Sequence, residues 1–128
     1  FIGKPFDPAS ETFENSFSTS HARFDYYEQK RIHNAHLQNS APTYGWVREA
    51  IGVTKVLLNR ELDRQIETPL LLCQAARDTV VRLPEQNKFV SLLPHAQLRA
   101  FDAKHEIYMS DDTVMREYVP AVIGFLRG

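Results

Sequence analysis

Two stretches decide how this sequence is read. Pro69-Leu70-Leu71-Leu72-Cys73-Gln74 runs into Ala75-Ala76-Arg77-Asp78-Thr79-Val80-Val81, and Gln97-Leu98-Arg99-Ala100-Phe101 runs into Asp102-Ala103-Lys104-His105-Glu106. Each is an apolar run of strand length that empties into a polar loop. Between them, Pro84 suits the first turn of a helix over about 84–93, where its missing N–H is not needed. A strand, a helix of about ten residues and a second strand make a parallel crossover. Neither strand alternates cleanly between polar and apolar residues, as expected when both faces are covered. An acid and an imidazole thus each emerge just past the carboxyl end of a strand, where open α/β folds place their ligands.

A lone Asp in such a loop more often caps or turns the chain. With His105 the balance changes, because the interval between the two holds one helix plus one strand. Their side chains would leave adjacent parallel strands on the same rim. There the carboxylate can accept a hydrogen bond from the imidazole and hold the tautomer that deprotonates a serine. Acid before histidine is also the last part of the chain order Ser, Asp/Glu, His. Asp78 and His105 are therefore the expected catalytic residues. Ser10, Ser16, Ser18, Ser20, Ser40, Ser91 and Ser110 are present, yet none is flanked by the glycines of a G-x-S-x-G elbow. That strained turn needs small neighbours so that the hydroxyl stands clear of the sheet. The nucleophile is expected outside this sequence, and the isolated chain is expected not to hydrolyse esters.

The bulk properties bound the alternatives. At 128 residues the chain is long enough for one modest domain. Its 43% hydrophobic and 24% charged residues sit near the globular average, which argues against disorder. A net charge of −1, with no basic stripe, gives no reason to expect nucleic acid. The single cysteine, Cys73, excludes an intrachain disulfide framework and fits a reducing compartment, so a cytoplasmic location is expected. No apolar run approaches the roughly 20 residues of a bilayer span, and no signal-peptide pattern is visible. The chain opens at Phe1-Ile2-Gly3-Lys4-Pro5 without a Met and reads as the remainder of something longer.

Upstream of the strands, residues 1–18 read as irregular. Ser20 is placed to cap a helix from His21 to about His33, with Phe24, Tyr26, Tyr27 and Ile32 on its apolar side. A longer helix begins at Thr43, with Trp46, Val47, Ala50, Ile51, Val53, Thr54, Leu57 and Leu58 at three- and four-residue spacing. Gly45 and Gly52 in that helix suggest close approach to a neighbour. Glu61-Leu62-Asp63-Arg64 reads as solvated surface. The last helix, about 112–127, has Asp111 or Asp112 as its cap, and Pro120 is expected to kink it. His33 and His36 lack a partner with metal-ligand spacing, so a solvated helix end is the better reading and no metal is expected. Cys73 reads as a small core residue. Tyr44, Trp46, Phe24 and Tyr27 could line an acyl pocket, but packing is their commoner role.

Pro42-Thr43-Tyr44-Gly45-Trp46-Val47-Arg48-Glu49-Ala50, Thr68-Pro69-Leu70-Leu71-Leu72-Cys73-Gln74-Ala75, the acid loop Asp78-Thr79-Val80-Val81 and the pair His105-Glu106 carry a resemblance. From Thr43 onward the chain resembles the C-terminal portion of the bacterial lysophospholipase and monoacylglycerol-lipase-like branch of the α/β-hydrolase superfamily. It departs from that pattern at Ala75 and Asp102, where the family usually has glycine three residues before the acid and before the histidine.

The resemblance implies an α/β class: a C-terminal fragment of an α/β-hydrolase fold, two parallel strands with flanking helices, preceded by a helical cap segment. Residues 1–60 would form the cap region and connecting helices, and 61–128 the core with the acid and histidine loops. It implies a serine ester hydrolase acting on a lysophospholipid or monoacylglycerol-like ester, with no cofactor. The expected partners are that lipid-like substrate and the missing N-terminal half of the same fold. Peripheral contact with the inner membrane, and self-association through the exposed edge of strand 69–74, are further expectations. The competing reading is a non-catalytic α/β interaction module derived from a hydrolase. A small flavodoxin-like signalling piece would want a Gly-rich phosphate loop or an acidic pocket after the first strand, and neither is visible.

Overall fold

In the computed structural model the described residues are 6–39, 41–58 and 65–128. The opening pentapeptide and the charged run Glu61–Arg64 lie outside them. Helix α1 spans His21–Ile32 and α2 spans Tyr44–Leu57. Strand β1 (Leu70–Ala75), helix α3 (Leu83–Leu92), strand β2 (Ala96–Phe101) and helix α4 (Asp112–Arg127) follow, with short 3-10 turns at Pro8–Ser10, Ala35–Leu37 and Ile107–Met109. Residues 6–18 thus contain one short 3-10 turn within otherwise irregular chain.

The two strands pair in parallel, Leu70 opposite Ala96 through Ala75 opposite Phe101. The first strand starts one residue later than the sequence suggests because Pro69 has no N–H to give; Leu70 N instead donates to His95 O at 3.1 Å. Gln74, buried within β1, is satisfied from α3: its Nε2 donates to Asn87 Oδ1 at 3.0 Å and Gln86 Oε1 at 3.2 Å. Polar helix starts are capped as their sequences direct. Ser20 Oγ accepts from Arg23 N and Thr43 Oγ1 from Trp46 N, while Asp111 rather than Asp112 caps α4, its Oδ1 accepting from Thr113 N and Val114 N. Helix α4 continues through Pro120 to Arg127.

The core is small and sits directly beneath the strand tips. Ala75, Phe101, Ala103, Ile107, Val114 and Ala121 form it, with Cys73 and Tyr118 packed against it. Phe101 meets Tyr118 edge-on, ring centroids 5.4 Å apart. Burial pushes the Cys73 thiol up, with nearby Arg99 only partly offsetting it, which fits an unreactive packing residue.

Three packing expectations are corrected. The buried residues of α1 are Glu28 and Arg31, not Tyr26, Tyr27 and Ile32, which are exposed. The cause is an ion pair, Arg31 Nη1 to Glu28 Oε1 at 2.7 Å, joined by Glu11 Oε2 at 3.1 Å. Helix α2 buries no residue, so Tyr44 (70% exposed) and Trp46 (64% exposed) are not packing residues. Gly52 has open space where a Cβ would stand, and Gly45 meets only the Thr43 hydroxyl, so neither marks a close approach. Among the described residues no helix is long and apolar enough to cross a membrane.

Candidate active site

The two loops that follow the strands are sewn to each other before any side chain is considered. Ala76 N donates to Phe101 O at 2.8 Å, and Arg77 N to Ala103 O at 3.0 Å. Arg77 adds a side-chain clamp: Nε lies 2.7 Å from Asp102 Oδ1, and Nη2 donates to the Asp102 carbonyl at 2.9 Å. No non-glycine residue described has a positive φ, so Ala75 and Asp102 stand in for glycine without backbone strain.

This stitching delivers Asp78 and His105 to the same rim. His105 Nδ1 lies 2.9 Å from Asp78 Oδ2. The other carboxylate oxygen, Oδ1, accepts from Val80 N at 2.7 Å and Val81 N at 3.0 Å, which closes the acid loop around its own side chain. Asp78 is 5% exposed at its side chain and His105 34%, so the acid is enclosed and the imidazole faces outward. Burial pushes the Asp78 carboxyl up, but the hydrogen bonds from His105, Val81 and Val80 together outweigh it and hold the group below the ordinary carboxylate value. An ionised carboxylate can only accept, so Nδ1 carries a proton, and in the neutral tautomer that this selects the lone pair is on Nε2. Phe17 leans edge-on against the imidazole, centroids 5.5 Å apart.

Chemically, this is an imidazole oriented by a carboxylate. Among the described residues no serine hydroxyl bonds to His105. Ser18 Oγ donates to Met109 O at 2.7 Å, Ser16 Oγ to Phe13 O at 2.8 Å, and Ser110 Oγ is buried without a partner. Ser40 lies outside the described residues. His33 and His36 are exposed at the end of α1, where His33 Nδ1 lies 2.7 Å from Gln29 O. Among the described residues no group of three metal-ligating side chains converges.

Three features escaped the sequence reading. The Arg77–Asp102 clamp carried a signal: opposite charges one and two residues beyond paired strand ends. The Glu28–Arg31 pair carried another, since its i, i+3 spacing puts both on one helix face. Phe17 carried none, because its contact with His105 depends on docking of the N-terminal segment. Thr19 N and Ser20 N fasten that segment to Met109 O, Lys104 Nζ donates to Ser16 O at 2.9 Å, and Arg23 pairs with Asp112 at 2.7 Å.

With this geometry in place, one comparison is informative. A protein described as a probable lysophospholipase L2 in Haemophilus influenzae is 30% identical over 95 residues. The match covers 73% of this chain. It covers 30% of that relative. The chain thus spans under a third of the relative's length. No family model and no solved structure matches the chain.

Proposed function

We propose that this chain carries the acid–histidine half of a serine ester hydrolase that acts on lysophospholipid or monoacylglycerol-like substrates. The observation that carries the reading is the Asp78–His105 hydrogen bond at a strand-tip rim, with no hydrogen bond at Nε2 among the described residues. Similarity to a lysophospholipase-described protein supports the substrate class. The nucleophile would come from outside this chain, from the N-terminal half of the same fold. His105 Nε2 would take the proton from the serine Oγ as it bonds to the ester carbonyl carbon. It would then give that proton to the departing alkoxide, and water would cleave the acyl-enzyme by the same base. Asp78 would keep the ring oriented and stabilise the imidazolium. No cofactor enters these steps.

The test is complementation. The chain is mixed or co-expressed with an upstream polypeptide carrying the G-x-S-x-G elbow, and release of p-nitrophenol from short acyl esters is followed. The chain alone is expected to be inert, and the assembled pair active in a manner abolished by His105→Ala. Activity of the assembly that survives His105→Ala, or turnover by the chain alone, defeats the proposal.

A further inference from the structure

The strand-tip loops bring Asp78 and His105 together, but one hydrogen bond at Nδ1 fixes only one corner of the imidazole. The torsion that turns a histidine ring is broad, and the His105 side chain is 34% exposed. Among the described residues the aromatic ring that meets it is Phe17, with centroids 5.5 Å apart and planes at 70°. Such edge-to-face contact sets the positive edge of one ring against the negative face of the other, so it restrains a plane as well as a position. Phe17 is itself carried there by a docked segment that follows the chain after β2 in matched order. Lys104 Nζ donates to Ser16 O at 2.9 Å, Phe17 meets His105, Ser18 Oγ donates to Met109 O at 2.7 Å, and Asp111 N donates to Thr19 Oγ1 at 3.0 Å. The bond nearest the imidazole thus joins the residue before Phe17 to the residue before His105. Ser18 is 1% exposed, so the docking is enclosed. Lys104 Nζ is held in turn, 5.8 Å from the Phe13 ring centroid, and Phe13 packs against His21 and Phe24 of α1.

We propose that Phe17 is a positioning residue for the His105 base, held in place by the bond from Lys104 to the Ser16 carbonyl. The two restraints on the imidazole divide the work. Asp78 decides which nitrogen carries the proton, and Phe17 decides where the Nε2 lone pair of the neutral ring points. A base must lie within about 2.6–3.2 Å of the hydroxyl it deprotonates, so a ring that tips about its Nδ1 bond loses that reach. A T-shaped contact shifts the balance between held and tipped rings about two- to tenfold. Phe17 is 39% exposed, so its removal takes little from the core while freeing the imidazole. That His105 is a base rests on the hydrolase reading above; that Phe17 holds its plane does not.

The first arm of the test needs no turnover. Exchange of the His105 Nδ1 proton with water is followed by NMR in the whole chain, with amide protection of β1 and β2 as the check on folding. Phe17→Ala is expected to speed that exchange about fivefold, whereas Phe17→Tyr, which keeps the ring, stays within about twofold of the unaltered chain. Lys104→Met is expected to act in the same direction, and adding it to Phe17→Ala to change nothing further, because both remove one contact. Where Phe17→Ala loses strand protection, Lys104→Met alone carries the comparison. The second arm uses the complemented hydrolase, in which Phe17→Ala is expected to lower kcat about fivefold with KM unchanged and Phe17→Tyr to restore it. Three results overturn the proposal: unchanged exchange in the folded variants, equal loss in Phe17→Tyr and Phe17→Ala, or a raised KM at constant kcat, which would make Phe17 a substrate contact. If the unaltered chain shows no complemented activity, the hydrolase reading fails, and the exchange arm still decides the role of Phe17.

Discussion

Replacing Asp78 by Asn is expected to reverse the protonation of His105 while leaving the loops in place. The geometry dictates how the new amide sits. Val80 N and Val81 N both donate into the Oδ1 position, at 2.7 and 3.0 Å. Turning the amide so that its NH2 faced those donors would forfeit two hydrogen bonds of about 1 kcal/mol each. The carbonyl-inward orientation is therefore favoured by about 2 kcal/mol, roughly 30-fold. The NH2 then occupies the Oδ2 position, 2.9 Å from His105 Nδ1, and it can only donate. Nδ1 must accept, and the ring proton moves to Nε2. The lone pair that would receive a serine proton disappears without any loss of packing.

Nitrogen-15 spectra of the imidazole read this directly at neutral pH or above. The unaltered chain is expected to show a protonated Nδ1 and a bare Nε2, and Asp78→Asn the reverse. In the complemented hydrolase the same change is expected to lower kcat about ten-thousand-fold, the scale seen when a serine-protease triad is forced into the wrong tautomer. Nδ1 protonated in both proteins would refute the reasoning, because it would mean that the acid loop does not set the ring.

Two further outcomes follow from the geometry. The folded chain holds the Asp78 carboxyl below its ordinary value, so the unfolded chain takes up that proton first as pH falls. The stability it contributes is complete above about pH 4 and is lost as pH drops through the lower folded value. Denaturant midpoints measured downward through that window should fall more steeply for the unaltered chain than for Asp78→Asn, and parallel curves would count against it. We also propose that the free edge of β1 pairs with a second copy when no partner half is present. Sedimentation should then show a concentration-dependent dimer that an edge-facing proline at Leu71 abolishes; a monomer at all concentrations, with strand amides fully protected, rules this out.

What the sequence made legible was local. Both strand–loop junctions, the intervening helix and a cap at Asp111 or Asp112 follow from short-range pattern, because Pro69, Pro84 and the apolar runs constrain the backbone where they stand. The meeting of Asp78 and His105 was legible one step further, since parallel pairing forces two strand tips onto one rim. The helices before β1 were not legible in the same way. Apolar spacing in α2 and aromatic residues in α1 implied burial, yet spacing says which residues share a face and not what covers it. In α1 the long-range partner was Glu11, which drew Arg31 and Glu28 inward and left Tyr26 outside.

That division has a physical origin in how little of the chain the site requires. The pair depends on two strands, a core of six residues and a handful of backbone bonds between adjacent loops, all within residues 70–121. Those elements are mutually satisfied. Elsewhere the chain is not: it exposes 9392 Å², where a compact protein of 14.8 kDa exposes about 7,000 Å². The large exposed apolar residues of α2, Trp46, Ile51, Val53 and Val56 among them, account for part of the excess. A site sewn by local bonds tolerates such a surrounding, because covering α2 or extending the sheet changes nothing that touches Asp78. The same locality explains why the imidazole is held so well although no serine hydroxyl among the described residues bonds to it. A nucleophile elbow needs its own strand in the same sheet, and among the described residues the sheet has only two.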